Sequence, residues 1–151
     1  MLTQNMQRLV RTHTAGMVAT INADGTPAVS PKATFVVIDD RTIAYGDIRS
    51  PGTLANLQER PAIEVCFIDV LARKCVRVKG RATKIEKDAA KGPLLDAFEA
   101  VWSDYIQNMS AFIQIDVTDA ELIVSPAYDR GATEAELHAA NLTKLNGLPK
   151  P

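Results

Sequence analysis

Short apolar runs separated by tight turn signals constrain this chain more than any other feature. Gly16–Ile21 is followed by Asn22-Ala23-Asp24-Gly25, after which an apolar run returns. An Asp-Gly step between two such runs favours a hairpin, because glycine readily adopts the positive φ angles that tight turns need. Residues 62–69 and 74–86 form a second pair of runs, rich in Val, Ile and Phe. The sequence therefore predicts strands joined into antiparallel hairpins.

Helical signals lie between and beyond these runs. Thr3 can cap a first helix, Ser50-Pro51 marks the start of a second, and Thr133 with Glu136 forms a capping box for the last. We expect helices over residues 4–11, 51–60, 88–105 with a hinge at Gly92-Pro93, and from about 133 to 146. We expect strands over residues 16–21, 28–38 with one interruption, 42–45, 62–69, 74–86 and 112–124. This order favours an antiparallel barrel decorated by helices.

The interruption in the second strand is Ser30-Pro31-Lys32. Proline has no N–H for the sheet, and lysine resists burial, so neither residue suits a central strand. One interpretation is an edge strand that Pro31 and Lys32 protect from aggregation. The other is a bulge that directs Lys32 towards a site.

Composition limits the classes of function. With 151 residues, we expect one domain over 1–151, with a helical extension over about 126–151. The chain has 17 basic and 18 acidic residues and a net charge of −1, so we expect no general affinity for nucleic acid. The longest apolar runs are too short to cross a membrane, and the start has no apolar leader core, so a cytoplasmic location is expected. The two histidines are isolated, which argues against a metal site.

The two cysteines, Cys66 and Cys75, belong to the second hairpin. If the chain turns near Val70-Leu71, they fall opposite one another, within disulfide range. In a reducing cytosol we expect two half-buried strand residues instead of a structural disulfide.

The entrance to the helix at 51–60 is the most informative local feature. Its first N–H groups lack intrahelical partners, and Arg49, Ser50 and Thr53 add a charge and two hydroxyls, which together suit a phosphate group. Ordinary helix capping explains Ser50-Pro51 equally well. Hairpin geometry can bring Lys32 to the same rim, which favours the phosphate interpretation.

A basic stretch follows on the strand at 74–86. Seven of the 17 basic residues fall between positions 73 and 87, and alternation places Arg77, Lys79 and Arg81 on one face. A solvated sheet face is the plain interpretation. Nucleic-acid binding would need interleaved aromatic side chains, which are missing here, so a small anion fits better. No hydrolase or nucleotide-loop motif occurs, so we assign no catalytic residue and expect a cofactor to supply any chemistry.

An ordered set of motifs over about residues 2–125 resembles the pyridoxamine-5′-phosphate-oxidase-like FMN-binding split-barrel family. The motifs are DGTP at 24–27 leading into VSPK at 29–32, DRTIAYGD at 40–47, SPGTLANL at 50–57 followed by Arg60-Pro61, and VRVKGRA at 76–82. The resemblance implies a mainly β, α+β fold, a six-stranded antiparallel split β-barrel (Greek key) with peripheral helices. It also implies a homodimer with FMN at the subunit interface.

The resemblance further implies which residues contact the cofactor. Ser30, Pro31 and Lys32 would follow its ribityl chain and phosphate, and Asp47 and Ile48 would border the ring or the ribityl chain. The phosphate would meet Arg49, Ser50 and Thr53. Cys75 stands where the oxidases proper carry a glutamine that contacts the flavin, and Arg77 lies two residues further on.

The chain also departs from the oxidases proper. It has Ser30-Pro31-Lys32 where they carry an arginine-rich motif, and a polar C-terminal segment where they carry tryptophan and arginine. We therefore expect an FMN-dependent oxidoreductase that acts on a small molecule other than pyridoxamine phosphate. The alternatives are a non-catalytic module that binds a flavin or haem-type cofactor, and a deazaflavin-dependent reductase.

Overall fold

The computed structural model describes residues 1–149 and combines seven strands with four α-helices. The strands are β1 Gly16–Ile21, β2 Pro27–Lys32, β3 Phe35–Val37, β4 Thr42–Asp47, β5 Ala62–Asp69, β6 Lys74–Glu86 and β7 Ala111–Val124. The helices are α1 Gln4–Thr12, α2 Pro51–Glu59, α3 Pro93–Ile106 and α4 Glu134–Asn146. Short 3-10 turns cover Lys87–Ala89 and Tyr128–Arg130.

All seven strands form one antiparallel sheet in the order β2-β1-β5-β6-β7-β4-β3. Its two edge strands, β2 and β3, are consecutive in the chain, and Ala33-Thr34 alone connects them. A connection this short requires the two edges to lie close together, so the sheet curls into a half-barrel. The open seam of the half-barrel is at Ala33-Thr34.

The sheet has seven strands and not the six that we expected, because the chain changes sheet edge at this seam. We expected residues 28–38 to form one interrupted strand that pairs with β1. Instead β2 pairs with β1 as far as Lys32, while β3 pairs with β4 at the opposite edge. Pro31 and Lys32 therefore belong to a continuous ladder, and the interruption follows them. Proline is tolerated there because β2 is an edge strand.

The core fills the concave side of the curled sheet. Alternate residues of β1, β5 and β6 point inwards, as Val18, Val65 and Val78 do, and all three are fully buried. The rings of Phe35 and Tyr45 lie 5.1 Å apart at their centroids and close one end of this core. Gly16 lies where a larger residue would not fit, because an added Cβ would come within 2.9 Å of three core side chains.

The helices cover the open sides of the half-barrel. As the sequence predicts, Thr3 caps α1 through Met6 N–H, and Met6, Leu9 and Val10 are buried. α3 differs from the expected core-facing stripe of Leu94, Leu95, Phe98, Val101, Trp102 and Tyr105. Val101 and Tyr105 are 58% and 51% exposed, whereas Trp102 and Ile106 pack against the buried cluster that contains Phe98. The backbone of Trp102 departs from helical geometry within α3.

The C-terminal segment is attached to the tip of the β5–β6 hairpin. The hydroxyl of Tyr128 donates to the Ala72 carbonyl at 2.6 Å, and the Asn141 side chain donates to the Leu71 carbonyl at 2.9 Å. Lys74 forms an ion pair with Glu134 at the start of α4. The capping box of Thr133 and Glu136 is present, as the sequence predicts, yet no residue of α4 is buried.

Two further observations concern the described part of the chain. None of the helices within residues 1–149 combines the length and the apolar character that a bilayer crossing requires. Over the same residues, no three His, Cys, Asp or Glu side chains converge as metal ligands would.

Candidate functional site

A cavity of about 500 Å³ opens where the end of β2 meets the junction of β4 and α2. Its lining residues come from two short segments, Ser30–Thr34 and Gly46–Ser50. Thr34 holds these segments together, since its hydroxyl donates to the Gly46 carbonyl at 2.6 Å and its own carbonyl accepts from Gly46 N–H at 3.3 Å. The cavity therefore lies at the seam of the half-barrel.

Lys32 is the cation on the β2 side of this cavity. Its Nζ donates to the Ser30 hydroxyl and, at 3.3 Å, to the Pro31 carbonyl. Burial lowers the pKa of Lys32, and the nearby charge of Asp47 partly opposes that change. No carboxylate within residues 1–149 forms an ion pair with Lys32, so its charge is available to a ligand.

Asp47 is the acidic residue of the cavity, and it is only 2% exposed. Its carboxylate accepts hydrogen bonds from the hydroxyls of Ser50 and Ser110, the latter at 3.1 Å. Ser110 also donates its backbone N–H to the Asp47 carbonyl at 2.7 Å. These hydrogen bonds compensate for the cost of burying a carboxylate.

Ser50 also lines the cavity, and α2 begins at the next residue. Ser50 occupies the N-cap position, but its hydroxyl donates to Asp47 and does not cap the helix. The first intrahelical bond runs from Leu54 N–H to the Ser50 carbonyl at 3.0 Å, so the preceding N–H groups of Gly52 and Thr53 have no intrahelical acceptor. Together with the helix dipole, these groups make the entrance to α2 attractive to anions.

The charges around the cavity favour an anion overall. Lys32 and Arg49 each carry a positive charge, and Arg49 is exposed and forms no ion pair with any residue in the range 1–149. Asp47 is the one opposing carboxylate among the lining residues. Two cations and a helix N-terminus against one hydrogen-bonded carboxylate leave a positive balance.

The structure brings most of the predicted cofactor residues into this cavity. They are Ser30, Pro31, Lys32, Asp47, Ile48, Arg49 and Ser50. Thr53 is buried in the first turn of α2 and does not line the cavity. Cys75 and Arg77 lie on β6, also outside it.

Arg77 nevertheless shares a sheet face with Pro31. The strand register pairs Pro31 with Met17, Met17 with Cys66, and Cys66 with Arg77. Directly paired residues point to the same face, so this row follows the convex side of the sheet. Three strand spacings separate Pro31 from Arg77, about 14 Å at the usual spacing. A ligand held in the cavity would have to extend across β1 and β5 to reach Arg77 of the same chain.

Several basic residues of β6 have acidic neighbours. The Arg77 guanidinium lies between Glu64, with Nε to Oε1 at 3.3 Å, and Glu121. Lys79 is opposite Asp119 in the register of β7, and Lys84 pairs with Glu86 at 2.7 Å. These acidic neighbours favour the solvated sheet face over a separate anion site on β6.

The same convex face exposes several large apolar side chains. Met17 is 46% exposed and Val29 is 66% exposed, although both belong to strands. Ile21, Ile68 and Ile123 on this face are also exposed. Several exposed large apolar side chains on one sheet face favour a protein–protein contact there.

Ala33, Thr34 and Gly46 line the cavity without having been predicted, and Ser110, which lies outside the lining, contacts Asp47. Ser110 lies 63 positions from Asp47 and contacts it at the start of β7, and no local motif marks that pairing. Thr34 closes the seam, but it belongs to a segment that we expected to be strand. A correct alignment of β4 against β7 would have identified Ser110, because it immediately precedes the residue paired with Asp47.

Comparison with known proteins gives one family match. The sequence profile of the family described as pyridoxamine 5′-phosphate oxidase matches residues 2–125. No curated protein matches the chain.

Several solved structures share the fold. HupZ of Group A Streptococcus is 26% identical, with a TM-score of 0.67 over 83% of this chain and 96% of that chain. A Clostridium acetobutylicum protein related to general stress protein 26 of B. subtilis, of the pyridoxinephosphate oxidase family, is 14% identical, with a TM-score of 0.62 over 80% and 86%. An F420 reductase is 18% identical, with a TM-score of 0.53 over 71% and 88%. The last two similarities show the fold alone.

Proposed function

The chain belongs to the pyridoxamine 5′-phosphate oxidase family, and we propose that it is an FMN-binding oxidoreductase that acts on a small molecule. The observation that carries this proposal is the cavity at the seam, which is lined by Lys32, Arg49 and Ser50, the residue that precedes α2. A volume of about 500 Å³ lies in the range of small-molecule and cofactor sites.

The residues of the cavity fit the two polar parts of FMN. The phosphate carries negative charge, and Lys32, Arg49 and the N–H groups at the start of α2 are its natural partners. The ribityl chain carries hydroxyl donors, and the carboxylate of Asp47 is an acceptor for them. This division explains why an acidic residue is present in a cavity that otherwise favours anions.

The protein's contribution is binding and orientation. When bound, FMN supplies hydride or electron transfer, as flavins do in other enzymes. Lys32 and Arg49 fix the phosphate, and Ser50 and Ser110 hold the Asp47 carboxylate in one orientation through their hydroxyls. Ile48 is 47% exposed at the mouth of the cavity and provides an apolar contact for the ring.

We also propose that the functional unit is a homodimer with the cofactor at its interface. Two features support it. The convex face exposes Met17, Val29 and Ile68, and Arg77 is three strands away from Pro31 within one chain, about 14 Å at the usual strand spacing. Within one chain, Arg77 and Cys75 do not reach the cavity. In the proposed dimer, Arg77 and Cys75 of the partner subunit would approach it. Light scattering during gel filtration measures this directly, and a monomeric mass contradicts it.

The test of cofactor binding is a titration of the purified protein with FMN. We expect a perturbed flavin absorption spectrum, quenched flavin fluorescence and one site per chain. Riboflavin, which lacks the phosphate, is the matched control ligand and should bind much more weakly. Equal affinity for FMN and riboflavin would contradict a phosphate-anchored site, and retention of the deazaflavin F420 in preference to FMN would assign the site to that cofactor.

A non-catalytic flavin carrier is the second candidate function. It is favoured by the composition of the cavity, because Lys32, Asp47 and Arg49 are the titratable residues that line it and the proposed binding mode assigns all three to FMN. These three residues therefore leave no acid or base for a substrate. Turnover with a nicotinamide donor and dioxygen distinguishes the two functions, because a carrier binds FMN without oxidising the donor.

A further inference from the structure

Two thiols meet on the convex face, outside the proposed cofactor cavity. The Sγ atoms of Cys66 on β5 and Cys75 on β6 are 2.7 Å apart, and both cysteines are free and half-buried. We expected them to be directly opposite, but the register pairs Cys66 with Arg77 and Cys75 with Ile68. The cysteines are therefore diagonal neighbours, and their side chains converge between the strands.

We propose that Cys66 and Cys75 are a reversible redox pair, a dithiol that a hydroperoxide oxidises to an intramolecular disulfide. The inference needs only the two side chains and their position on the β5–β6 hairpin. Because the proposed homodimer brings Cys75 near the cofactor of the partner copy, the thiols are tested in FMN-free protein.

The reaction balances with one hydroperoxide per chain. One thiolate attacks the terminal peroxide oxygen, the O–O bond breaks, and an alcohol, or water in the case of hydrogen peroxide, leaves as a sulfenic acid forms. The second sulfur then attacks the sulfenic sulfur, the S–S bond forms, and water leaves. The two cysteines lose two electrons and two protons, and the peroxide gains them.

The surroundings of the two thiols indicate which one attacks the peroxide and which one then forms the disulfide. Burial, and after it the contact with Cys66, raise the pKa of Cys75 to about 12. Cys75 therefore remains a thiol at neutral pH, with its Sγ atom 2.7 Å from that of Cys66. We infer that Cys66 attacks the peroxide and that Cys75 resolves the sulfenic acid. Because the thiolate is the nucleophile, oxidation should accelerate as the pH rises.

The strand register also predicts that the bond is easily reversed. Diagonal neighbours in an antiparallel pair have Cα atoms about 7–8 Å apart, at or beyond the usual limit for a disulfide. Bond closure therefore requires β5 and β6 to move slightly towards each other. A disulfide formed under such a constraint is more readily reduced than an ideal one.

The position of the pair on the hairpin favours a bond within one chain. The turn that joins the strands covers residues 70–73, and the Asp69 carboxylate holds it through the N–H groups of Leu71 and Ala72, each at 2.9 Å. Contacts from Tyr128 and Asn141 fix the far side of the same turn. The two strands therefore stay paired while the thiols react.

The experiment treats the full chain with a slight molar excess of hydrogen peroxide. We expect both thiols to disappear together, the intact mass to fall by two hydrogen atoms, and a peptide map to link Cys66 to Cys75. The product should remain a single chain on a non-reducing gel and regain both thiols with dithiothreitol. Persistent thiols, oxidation to sulfinic acid without a link, or a bond between two chains would each overturn the proposal.

Two variants and one chemical probe assign the roles. Cys75→Ser should accumulate a sulfenic acid on Cys66 that dimedone traps, whereas Cys66→Ser should be trapped at a much lower rate. Equal trapping in both variants overturns the assigned order. If the variants fail to fold, phenylarsine oxide on the unmodified chain tests the geometry: binding of one arsenical across both thiols supports the pair, and failure to bind contradicts it.

Discussion

Removal of the Lys32 amine tests the phosphate site with the least structural disturbance. The only hydrogen bonds from Lys32 Nζ within residues 1–149 are to Ser30 and Pro31, both on the same strand, and the backbone pairing of Lys32 with Gly16 does not need the side chain. We therefore expect Lys32→Ala to change the free energy of unfolding by no more than about 0.5 kcal/mol, as is usual for a substitution that breaks no buried contact.

The expected loss of FMN affinity follows from the single contact that Lys32 would make. A hydrogen bond to a charged group contributes about 1.5–3 kcal/mol, which is about 10- to 150-fold in the dissociation constant. Because Lys32 is only half-buried, solvent screens its charge, and we expect a value near tenfold at physiological ionic strength. The difference should grow at low salt.

The assay is a fluorescence titration of FMN into three variants at equal ionic strength. Lys91→Ala is the matched control, since Lys91 is an exposed lysine outside the cavity and the substitution removes the same net charge. Lys32→Arg should retain most of the affinity. Equal affinities of Lys32→Ala and Lys91→Ala would refute the phosphate role, and aggregation of Lys32→Ala with unchanged affinity would assign Lys32 to edge protection.

Four further predictions concern pH and packing. Burial lowers the pKa of Lys32 below 10.5. FMN affinity of the unmodified chain should therefore fall as the pH rises through this lowered pKa, because the amine loses its charge. Lys32→Arg should lack that fall, and FMN titrations of both proteins over the same pH range test the difference. Ser110→Ala removes a donor from the buried Asp47 carboxylate and should destabilise by about 1–3 kcal/mol in urea unfolding, with Ser103→Ala, exposed on α3, as the neutral control. Desolvation acts to raise the pKa of Asp69, but the Ala72 N–H and His13 outweigh it, so the pKa in the folded state is below 3.8. The carboxylate therefore stabilises the fold above pH 3.8, and this stabilisation is lost as the pH falls through the folded-state pKa. The unfolding free energies of the unmodified chain and Asp69→Asn should therefore converge in acid, and a constant difference argues against the Asp69 contacts. Gly16→Ala should destabilise by about 1–3 kcal/mol because its Cβ would meet Phe35, Val65 and Phe67, whereas Gly52→Ala, with open space around it, should be neutral or slightly stabilising in thermal unfolding.

Local signals in the sequence were enough to place most elements. The bounds of β1, β5 and β6 and both side-chain caps, at Thr3 and Thr133, agree with the structure, because turn residues and capping residues act over a few positions. The grouping of Lys32 with Arg49 and Ser50 also agrees, since the turn after β3 brings the two segments together. Their role in binding FMN remains a prediction.

Non-local pairing could not be obtained from the sequence. The chain passes from one edge of the sheet to the other at Ala33-Thr34, and nothing in those two residues indicates such a change of partner. The offset of Cys66 from Cys75 depends on the four-residue turn at 70–73, and a shift of the turn by one residue changes the register by two. Ser110 meets Asp47 only because β7 lies beside β4, a contact between distant positions.

A crystal structure of the protein with FMN would show directly whether the cavity at the seam is the cofactor site. We expect the phosphate between β2 and the start of α2, within hydrogen-bond distance of Lys32, Arg49 and the first N–H groups of the helix. We also expect the ribityl chain to pass Asp47. Density for the phosphate elsewhere, for example along the basic residues of β6, would contradict the assignment of the cavity at the seam.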